Sequence, residues 1–278
     1  EGPRATTYAG HMTLPTPAPD RTCVVTGASS GIGTELAREL AARGHGVTLV
    51  ARREDRLAAL ADELRERHGV RAEVVADDLA DDAARTGLVA TIAERGLLVD
   101  VLVNNAGFST TGPVAASDPA REVAMVRTDV EAVVHLCSTF VPGMVERRRG
   151  AVLNVASTAA FQPLPGQAGY GGAKAFVLSY TRALGQELRG TGVTATALCP
   201  GPVETEFADT AGFEEGQAGK ALPRMMWVGA AEVAATAVQG LERGRDVVIP
   251  GPANRIAAGL TPFIPRRLLL PVLAKRHP

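Results

Sequence analysis

The sequence has little cysteine, few aromatic residues and almost no net charge. Its three cysteines, Cys23, Cys137 and Cys199, lie far apart without CxxC spacing, which argues against a disulfide framework or a zinc site and predicts core positions. The formal net charge of −1 gives no reason to expect a nucleic acid partner. No run of about 18 apolar residues is present, so a membrane-spanning helix is not expected. These absences favour a cytoplasmic protein without a metal site.

Short apolar runs alternate with helical patterns between residue 21 and about residue 250. Each run is nearly continuous rather than alternating, which is typical of strands buried on both faces of a parallel sheet. The alternation predicts an α/β fold, namely a single domain with a Rossmann-type doubly wound parallel sheet of about seven strands. The predicted strands span residues 22–26, 46–51, 72–76, 99–103, 151–156, 193–198 and 247–249.

Three segments depart from this rhythm. Residues 1–20 are rich in Pro, Thr, Ala and Gly and predict an irregular tail. The tail lacks the pattern of a signal peptide, and its His11-Met12 pair, which a common cloning site encodes, indicates that part of it is vector-derived. Residues 203–228 are long for a plain connection and predict a lid over a site.

The third segment is a C-terminal extension over residues 251–278. It places several leucines beside Arg266, Arg267, Lys275 and Arg276. Two interpretations remain open for this basic, Leu-rich stretch. We favour a tail helix that covers the domain's own core or contacts another subunit, and the alternative is an element that lies on a membrane surface.

A glycine-rich turn separates the first predicted strand from the first helix. Its sequence, TGASSGIG over residues 26–33, combines backbone freedom with the unpaired N–H groups of a helix N-terminus, which suits a pyrophosphate. Glycine-rich turns often only pack a helix on a strand, but the position directly after the first strand favours a dinucleotide site. The candidate binding residues are Gly27, Ser29, Ser30, Gly31, Ile32 and Gly33.

The end of the second strand indicates which nicotinamide cofactor is used. An acidic residue there would bind the ribose 2′-hydroxyl and favour NAD(H), but this sequence has Val50-Ala51-Arg52-Arg53. Arg52, with Arg53 beside it, can pair with a 2′-phosphate through charge-assisted contacts. The sequence therefore predicts NADP(H) as the cofactor.

Ser157, Tyr170 and Lys174 are the candidate catalytic residues. Tyr170 and Lys174 are four residues apart and share one helix face, whereas Ser157 closes the fifth strand and precedes Tyr170 by 13 residues. A serine at a strand's C-terminal end and a tyrosine on the following helix can meet in the crevice where α/β sheets bind ligands.

In this order and spacing the motifs resemble the short-chain dehydrogenase/reductase family across about residues 21–250. The arginine-containing stretch 50–57 and the segment 247–255 are similar to an NADP-type bacterial subgroup with broad annotation. The motifs that carry the resemblance are TGASSGIG (26–33), Asp78-Leu79, NNAG (104–107), Ser157, YxxxK (170–174) and Pro200-Gly201-Pro202.

The resemblance implies a role for each motif. Tyr170 would be the general acid/base, Lys174 would lower the pKa of Tyr170 and bind the nicotinamide ribose, and Ser157 would polarise the substrate carbonyl. Asp78 with Leu79 would contact the adenine, and Thr205 would contact the nicotinamide carboxamide. The remaining cofactor-binding residues implied by the resemblance are Asn105, Ala106, Gly107, Pro200, Gly201 and Val203.

Asp129 departs from the family pattern. The family usually has an asparagine there, which holds a water that links the lysine to solvent, and aspartate adds a negative charge and loses the amide donor. Asp129 would serve this proton relay as a carboxylate, or slow turnover, or mark a chain that has lost activity. The last option supports an alternative function, a non-catalytic NADP(H)-binding regulatory protein.

The expected substrate is a small hydrophobic molecule that is a ketone, an aldehyde or a secondary alcohol. NADP(H) use favours the direction of reduction, and the class is EC 1.1.1.-. The resemblance further implies a homodimer or homotetramer paired through helices at about 119–148 and 169–190. The candidate substrate-pocket residues are Phe108, Phe161, Pro163, Leu164, Phe207, Met225, Met226 and Trp227.

Overall fold

A parallel sheet of seven strands crosses the protein in the order β3-β2-β1-β4-β5-β6-β7. The structure, a computed structural model, describes residues 14–205 and 223–274. The fold class predicted from the sequence is confirmed. The first and last residues of each predicted strand differ from those of the observed strand by at most one position. The strands are β1 (Arg21–Thr26), β2 (Val47–Ala51), β3 (Ala72–Ala76), β4 (Leu98–Asn104), β5 (Gly150–Val155), β6 (Val193–Leu198) and β7 (Val247–Val248).

Helices cover both faces of the sheet. Along β1, Cys23 and Val25 pack into the core on the face covered by α1, α2 and α7, whereas Val24 packs on the face covered by α3, α5 and α6. All three cysteines are buried, as predicted. The helices are α1 (Gly31–Ala42), α2 (Glu54–His68), α3 (Asp82–Glu94), α4 (Pro119–Val126), α5 (Ala132–Glu146), α6 (Ala168–Glu187), α7 (Ala230–Glu242), α8 (Pro252–Leu260) and α9 (Arg266–Ala274).

The strand order reverses between β1 and β4. β1 pairs with β2 on one side and with β4 on the other, so the loops after β1 and β4 diverge to opposite faces. In open α/β sheets this divergence leaves a crevice at the carboxyl ends of the strands, and ligands bind there. The glycine turn follows β1 and the NNAG motif ends β4, so both motifs lie at this crevice.

A buried polar network fixes α6 against the sheet. The Asn104 side chain on β4 donates to Asn154 Oδ1 at 2.8 Å, and Asn154 on β5 donates to Thr181 Oγ1 on α6 at 2.9 Å. Thr181 Oγ1 in turn donates to the Val177 carbonyl at 2.6 Å. Because a buried amide costs free energy unless it is hydrogen-bonded, the network specifies one position of α6 on the strands.

A π-helical turn, Arg127–Glu131, joins α4 to α5. The turn adds a residue to the helical repeat and brings the side chain of Asp129 to 1% exposure inside the protein. Arg85, also 1% exposed, anchors this turn to α3: it donates to the Leu79 carbonyl at 2.7 Å and pairs with Glu131. Arg85 therefore links the π-helical turn to the loop after β3.

The terminal segments and the expected lid are described only in part. Residues 1–13, 206–222 and 275–278 lie outside the described residues, so the tail and lid predictions are tested only at their edges. Leu14 packs against the core, and the Thr16 carbonyl accepts a hydrogen bond from Arg149. No helix in the described ranges is long and apolar enough to cross a membrane.

Candidate active site

A cavity of about 540 Å³ opens at the carboxyl edge of the sheet. All but two of the residues singled out from the sequence as catalytic or cofactor-binding line it, and the exceptions are Gly33 and Asp129. The residues from that set that line the cavity are Gly27, Ser29, Ser30, Gly31, Ile32, Arg52, Arg53, Asp78, Leu79, Asn105, Ala106, Gly107, Ser157, Tyr170, Lys174, Pro200, Gly201, Val203 and Thr205.

The glycine turn depends on glycine at three positions. Gly27 and Gly31 have φ of +66° and +56°, a conformation that side chains other than glycine rarely adopt. A Cβ on Gly33 would lie 2.2 Å from the Gly27 carbonyl oxygen, so Gly33 allows α1 to begin directly against the turn. Gly33 therefore acts beneath the binding surface rather than on it. The N-terminus of α1 faces the cavity and can hold a phosphate.

The loop after β4 supports the turn from the other side. Thr26 Oγ1 accepts the backbone N–H groups of Asn105 and Ala106, both at 2.9 Å. The Asn105 side chain donates to the Thr26 carbonyl at 2.9 Å. These bonds join the first and fourth strand ends into one rigid rim.

Two arginines lie at the end of β2, and they differ in their surroundings. The Arg52 side chain is 69% exposed, with Nη1 3.9 Å from Asp78 Oδ2. Arg53 is half-buried and donates to Ser29 Oγ at 3.2 and 3.1 Å through Nε and Nη2. Both arginines line the cavity, so both can contact a phosphate at the adenosine end. Arg53 also supports the glycine turn, a role that the sequence did not indicate.

Ser157, Tyr170 and Lys174 converge at the opposite end of the cavity. Ser157 follows β5, and its Oγ accepts the Ala159 N–H at 3.1 Å, which caps the turn Thr158–Phe161. Tyr170, on α6, is 8% exposed and hydrogen-bonds to Ser157. Lys174 Nζ lies one helical turn further, 5.6 Å from the centroid of the Tyr170 ring. This geometry suits proton transfer to a substrate oxygen held between Ser157 and Tyr170.

Lys174 forms a buried ion pair with Asp129. Its Nζ is 3.0 Å from Asp129 Oδ2 and donates to the Val155 carbonyl at 3.0 Å. Asp129 Oδ1 accepts the backbone N–H of Phe108, also at 3.0 Å. Asp129 does not line the cavity, so it contacts the site only through Lys174 and the Phe108 loop.

The ion pair determines the electrostatics at Tyr170. Burial alone would lower the pKa of Lys174, but the Asp129 carboxylate and Tyr170 raise it above its usual value, so Lys174 stays protonated. Burial raises the pKa of the Asp129 carboxyl, and the Lys174 ammonium and the Phe108 N–H oppose that rise. The Phe108 N–H, which donates to Oδ1, and the Lys174 ammonium, 3.0 Å from Oδ2, both favour the ionised carboxylate.

The pKa of Tyr170 is therefore raised. Burial is the largest cause, Lys174 lowers the pKa, and the charge on Asp129 raises it again. Asp129 thus cancels part of the positive field that would stabilise a phenolate. At neutral pH the phenol stays protonated and is ready to donate a proton.

Apolar side chains form a further part of the cavity lining. Of the expected substrate-pocket residues, Phe108, Leu164, Met226 and Trp227 line the cavity. Pro163 and Met225 are exposed and Phe161 packs on the core, so these three do not line it; Phe207 lies outside the described residues. Met225 is in the 3₁₀ turn Arg224–Met226, where neighbouring side chains point apart, so Met226 faces inward and Met225 faces outward.

Several lining residues were not anticipated from the sequence. Gln162 and Gln167 line the cavity, and Gln167 Nε2 donates to Ser109 Oγ at 2.7 Å. Gln167 is three residues before Tyr170, so its place could have been inferred from the start of α6. Ala257, Ala258, Thr261 and Leu273 also line the cavity, and no local pattern places the C-terminal extension there.

Asn254, on α8, connects three segments around the cavity. Its side chain donates to the carbonyls of Met226 at 2.9 Å and Pro250 at 3.1 Å. A Cβ on Gly201 would lie 2.4 Å from Asn254 Oδ1, so Gly201 allows the contact with the loop after β6. The backbone N–H of Val228 donates to the Pro202 carbonyl at 3.2 Å, which brings together the two ends of the expected lid.

Metal chemistry finds no support in the described part of the chain. Residues 14–205 and 223–274 contain no group of three or more His, Cys, Asp and Glu side chains placed to hold a metal ion.

Comparison with known proteins identifies many relatives. A family model for short chain dehydrogenases matches residues 21–215. The chain is 41% identical over 195 residues to a monensin polyketide synthase putative ketoacyl reductase of Streptomyces virginiae, an alignment that covers 69% of this chain and 74% of the relative.

Two solved structures are similar over most of their length. A short-chain dehydrogenase from Sphingobium yanoikuyae in complex with NADPH has a TM-score of 0.78 at 32% identity, with 90% of this chain and 95% of that chain covered. A bulky-bulky ketone specific alcohol dehydrogenase from Comamonas testosteroni has a TM-score of 0.73 at 27% identity, with 91% and 96% covered.

The close approach of Gly33 to the glycine turn gives a stability prediction. Gly33→Ala should lower the free energy of unfolding by about 1–3 kcal/mol, because the added methyl group collides with the Gly27 carbonyl. Gly87→Ala is the matched control, since Gly87 lies inside α3 with nothing within 4 Å of its Cβ position. The control should be neutral or stabilising by up to about 1 kcal/mol. Urea denaturation measures both, and equal stability of the two variants would contradict this packing.

Proposed function

Since the chain belongs to the short chain dehydrogenase family, we propose that it is an NADP(H)-dependent oxidoreductase acting on a carbonyl or secondary alcohol. The observation that carries the proposal is the convergence of Ser157, Tyr170 and Lys174 on the same cavity as the glycine turn. The reaction belongs to EC 1.1.1.-, and we propose reduction as the working direction, because cells usually keep the NADP(H) pool reduced.

The cavity residues fit the dinucleotide. The glycine turn and the N-terminus of α1 would hold the pyrophosphate, and Asp78 with Leu79 would contact the adenine. Arg52 pairs with the 2′-phosphate, and Arg53 holds Ser29 within reach of the same group. Thr205, packed on Gly31, would contact the nicotinamide carboxamide. A family member from Sphingobium yanoikuyae that binds NADPH supports this cofactor.

Each catalytic residue has one task. When bound, the nicotinamide supplies or accepts the hydride. Ser157 donates a hydrogen bond to the substrate carbonyl and stabilises the negative charge that develops on its oxygen. Tyr170 donates its phenolic proton to that oxygen, and Lys174 stabilises the phenolate left behind. Asp129 holds Lys174 in place and keeps it charged.

The substrate we propose is hydrophobic. Phe108, Leu164, Met226 and Trp227 line the end of the cavity beyond the catalytic residues, and Leu273 adds an apolar side chain from α9. The structural relative described as specific for bulky-bulky ketones supports a bulky substrate. The segment 203–228, whose ends meet at Pro202 and Val228, would act as the lid.

Tyr170→Phe tests the assigned mechanism. Against a panel of hydrophobic ketones, kcat/KM for NADPH oxidation should fall by about 10²–10⁴-fold, because the proton donor is lost. NADPH binding, followed by nicotinamide fluorescence, should stay within about fivefold. Tyr180→Phe makes the same change ten residues along α6, outside the cavity lining, and should keep activity within about threefold.

Two results would count against the proposal. Equal activity of Tyr170→Phe and the wild type would remove Tyr170 from the mechanism. NADPH binding by the wild type without turnover of any substrate would instead support the alternative, a cofactor-binding regulatory protein.

Arg52→Asp tests the cofactor assignment. The change removes the cation and places a carboxylate where it can accept the ribose 2′-hydroxyl, so the ratio of kcat/KM for NADPH over NADH should fall at least about tenfold. Arg67→Asp is the control, because the Arg67 side chain is similarly exposed, at 67% against 69%, but lies at the far end of α2. An unchanged ratio in Arg52→Asp would refute the phosphate contact.

Asp129→Asn should change the pH dependence of reduction. Reduction needs protonated Tyr170, so its rate falls as pH rises through the pKa of Tyr170. Removing the negative charge beside Lys174 lowers that pKa, and the alkaline limb of kcat/KM should move to lower pH. Asp100→Asn, a change at a buried aspartate paired with Arg149 at the other end of β4, should leave the limb in place.

The direction of this shift is diagnostic. An alkaline limb that stays fixed in Asp129→Asn would show that the Asp129 charge does not act on Tyr170.

We also propose that the protein assembles as a homodimer or homotetramer through α4, α5 and α6. Val123 and Val126 on α4 are 50% and 44% exposed, and Phe176 on α6 is 41% exposed and stacked on Tyr180. Phe176→Glu should convert the oligomer to smaller species in sedimentation velocity, because it buries a charge at the interface. Leu98→Glu, at a site 39% exposed at the start of β4, should not. A monomeric wild type would refute the assembly.

A further inference from the structure

The C-terminal extension has an unusual charge composition. No Asp or Glu follows Asp246, whereas five Lys and Arg residues do, in a chain whose formal net charge is −1. Of these five, Arg255, Arg266 and Arg267 lie in the described residues, and all three are exposed. This part of the surface therefore carries positive charge without an acidic side chain of its own.

The same extension exposes large apolar side chains. Helix α8 packs on the protein through Asn254 and Ala258, which are buried. Its other side presents Ile256 and Leu260, four residues apart and 63% and 57% exposed. Phe263 and Ile264 follow directly, 84% and 41% exposed. We call the four apolar residues together with Arg266 and Arg267 the C-terminal surface.

The C-terminal surface adjoins the wall of the active-site cavity. Ala257, Ala258 and Thr261, which alternate with its apolar residues along the chain, line the cavity, and so does Leu273 on α9. The helices that carry the exposed surface thus also form part of the cavity wall. A hydrophobic molecule leaving the C-terminal surface would meet the cavity directly.

We propose that the C-terminal surface docks on an anionic membrane. Exposed Phe, Leu and Ile side chains beside arginines are the composition of elements that lie in the interface, with the rings and aliphatic groups in the acyl region and the guanidinium groups on lipid phosphates. A second copy of this chain is a poorer occupant, since a twofold contact would bring Arg266 and Arg267 towards the same two arginines of the other copy, and the extension has no acidic side chain to pair with them. Docking would let a lipid-dissolved ketone reach the cavity without crossing water.

Vesicle co-sedimentation of the full chain tests this proposal. The protein should pellet with vesicles of phosphatidylglycerol and phosphatidylcholine, and much less with phosphatidylcholine alone. Arg266→Glu/Arg267→Glu should weaken binding to the anionic vesicles by about tenfold or more, because each basic residue contributes to attraction by acidic lipids. Phe263→Ser/Ile264→Ser should also weaken it. Both pairs of residues are exposed, so folding should be unaffected.

Arg243→Glu/Arg245→Glu is the matched control. It changes the net charge by the same amount at two exposed arginines. These precede β7, at the amino ends of the strands, whereas α8 follows the carboxyl end of β7. Binding that is equal in this control and in wild type would support the C-terminal surface as the docking site. An equal loss in the control, or no binding of the wild type to anionic vesicles, would overturn the proposal.

Two further outcomes would also overturn it. Equal binding to neutral and anionic vesicles would remove the role of the arginines. Conversion of an oligomer to a monomer by Phe263→Ser/Ile264→Ser would assign the surface to a second copy of the chain. Because binding is read without substrate or cofactor, failure here leaves the proposed oxidoreductase activity untouched, and loss of that activity leaves the binding result standing.

Discussion

The buried ammonium of Lys174 is the constraint around which the site is organised. A cation without water needs partners on several sides, since leaving it unpaired would cost about 3–5 kcal/mol. The Val155 carbonyl at the end of β5 and the Asp129 carboxylate supply two of these partners. Asp129 lies in the π-helical turn Arg127–Glu131 between α4 and α5, and its side chain points into the protein interior.

The neighbouring elements follow from this pair. A Cβ on Gly107 would lie 2.9 Å from Asp129 Oδ1, so the loop after β4 can approach the carboxylate only with glycine there. That approach lets the Phe108 N–H bind Asp129 Oδ1. The network from Asn104 through Asn154 to Thr181 holds α6 against the strands. Tyr170 and Lys174, which lie on α6, are thereby fixed in the cavity wall. Position in this site is set by hydrogen bonds and a buried ion pair as well as by apolar packing.

The fold and most of the site could be predicted from the sequence because their signals are local. Continuous apolar runs gave the strands within one residue, and the glycine turn and the YxxxK motif gave the two ends of the cavity. Contacts between distant segments had no such signal. Arg53 on Ser29, Asn254 on Met226 and the wall formed by α8 and α9 depend on how separate elements pack. Met225 and Met226 are adjacent in sequence, yet only the turn geometry decides which one faces inward.

Asp129 shows how a buried carboxylate can act on the pKa of Tyr170 without lining the cavity. An asparagine at this position would leave the charge of Lys174 uncompensated, and the phenolate of Tyr170 would be favoured. The carboxylate at 3.0 Å opposes that field while it keeps Lys174 protonated and fixed. A protonated phenol beside a charged lysine is the state that donates a proton to a carbonyl oxygen as hydride arrives, whereas oxidation of an alcohol needs the phenolate. In the proposed mechanism, the geometry that holds the lysine in place therefore extends to higher pH the range in which Tyr170 can donate a proton.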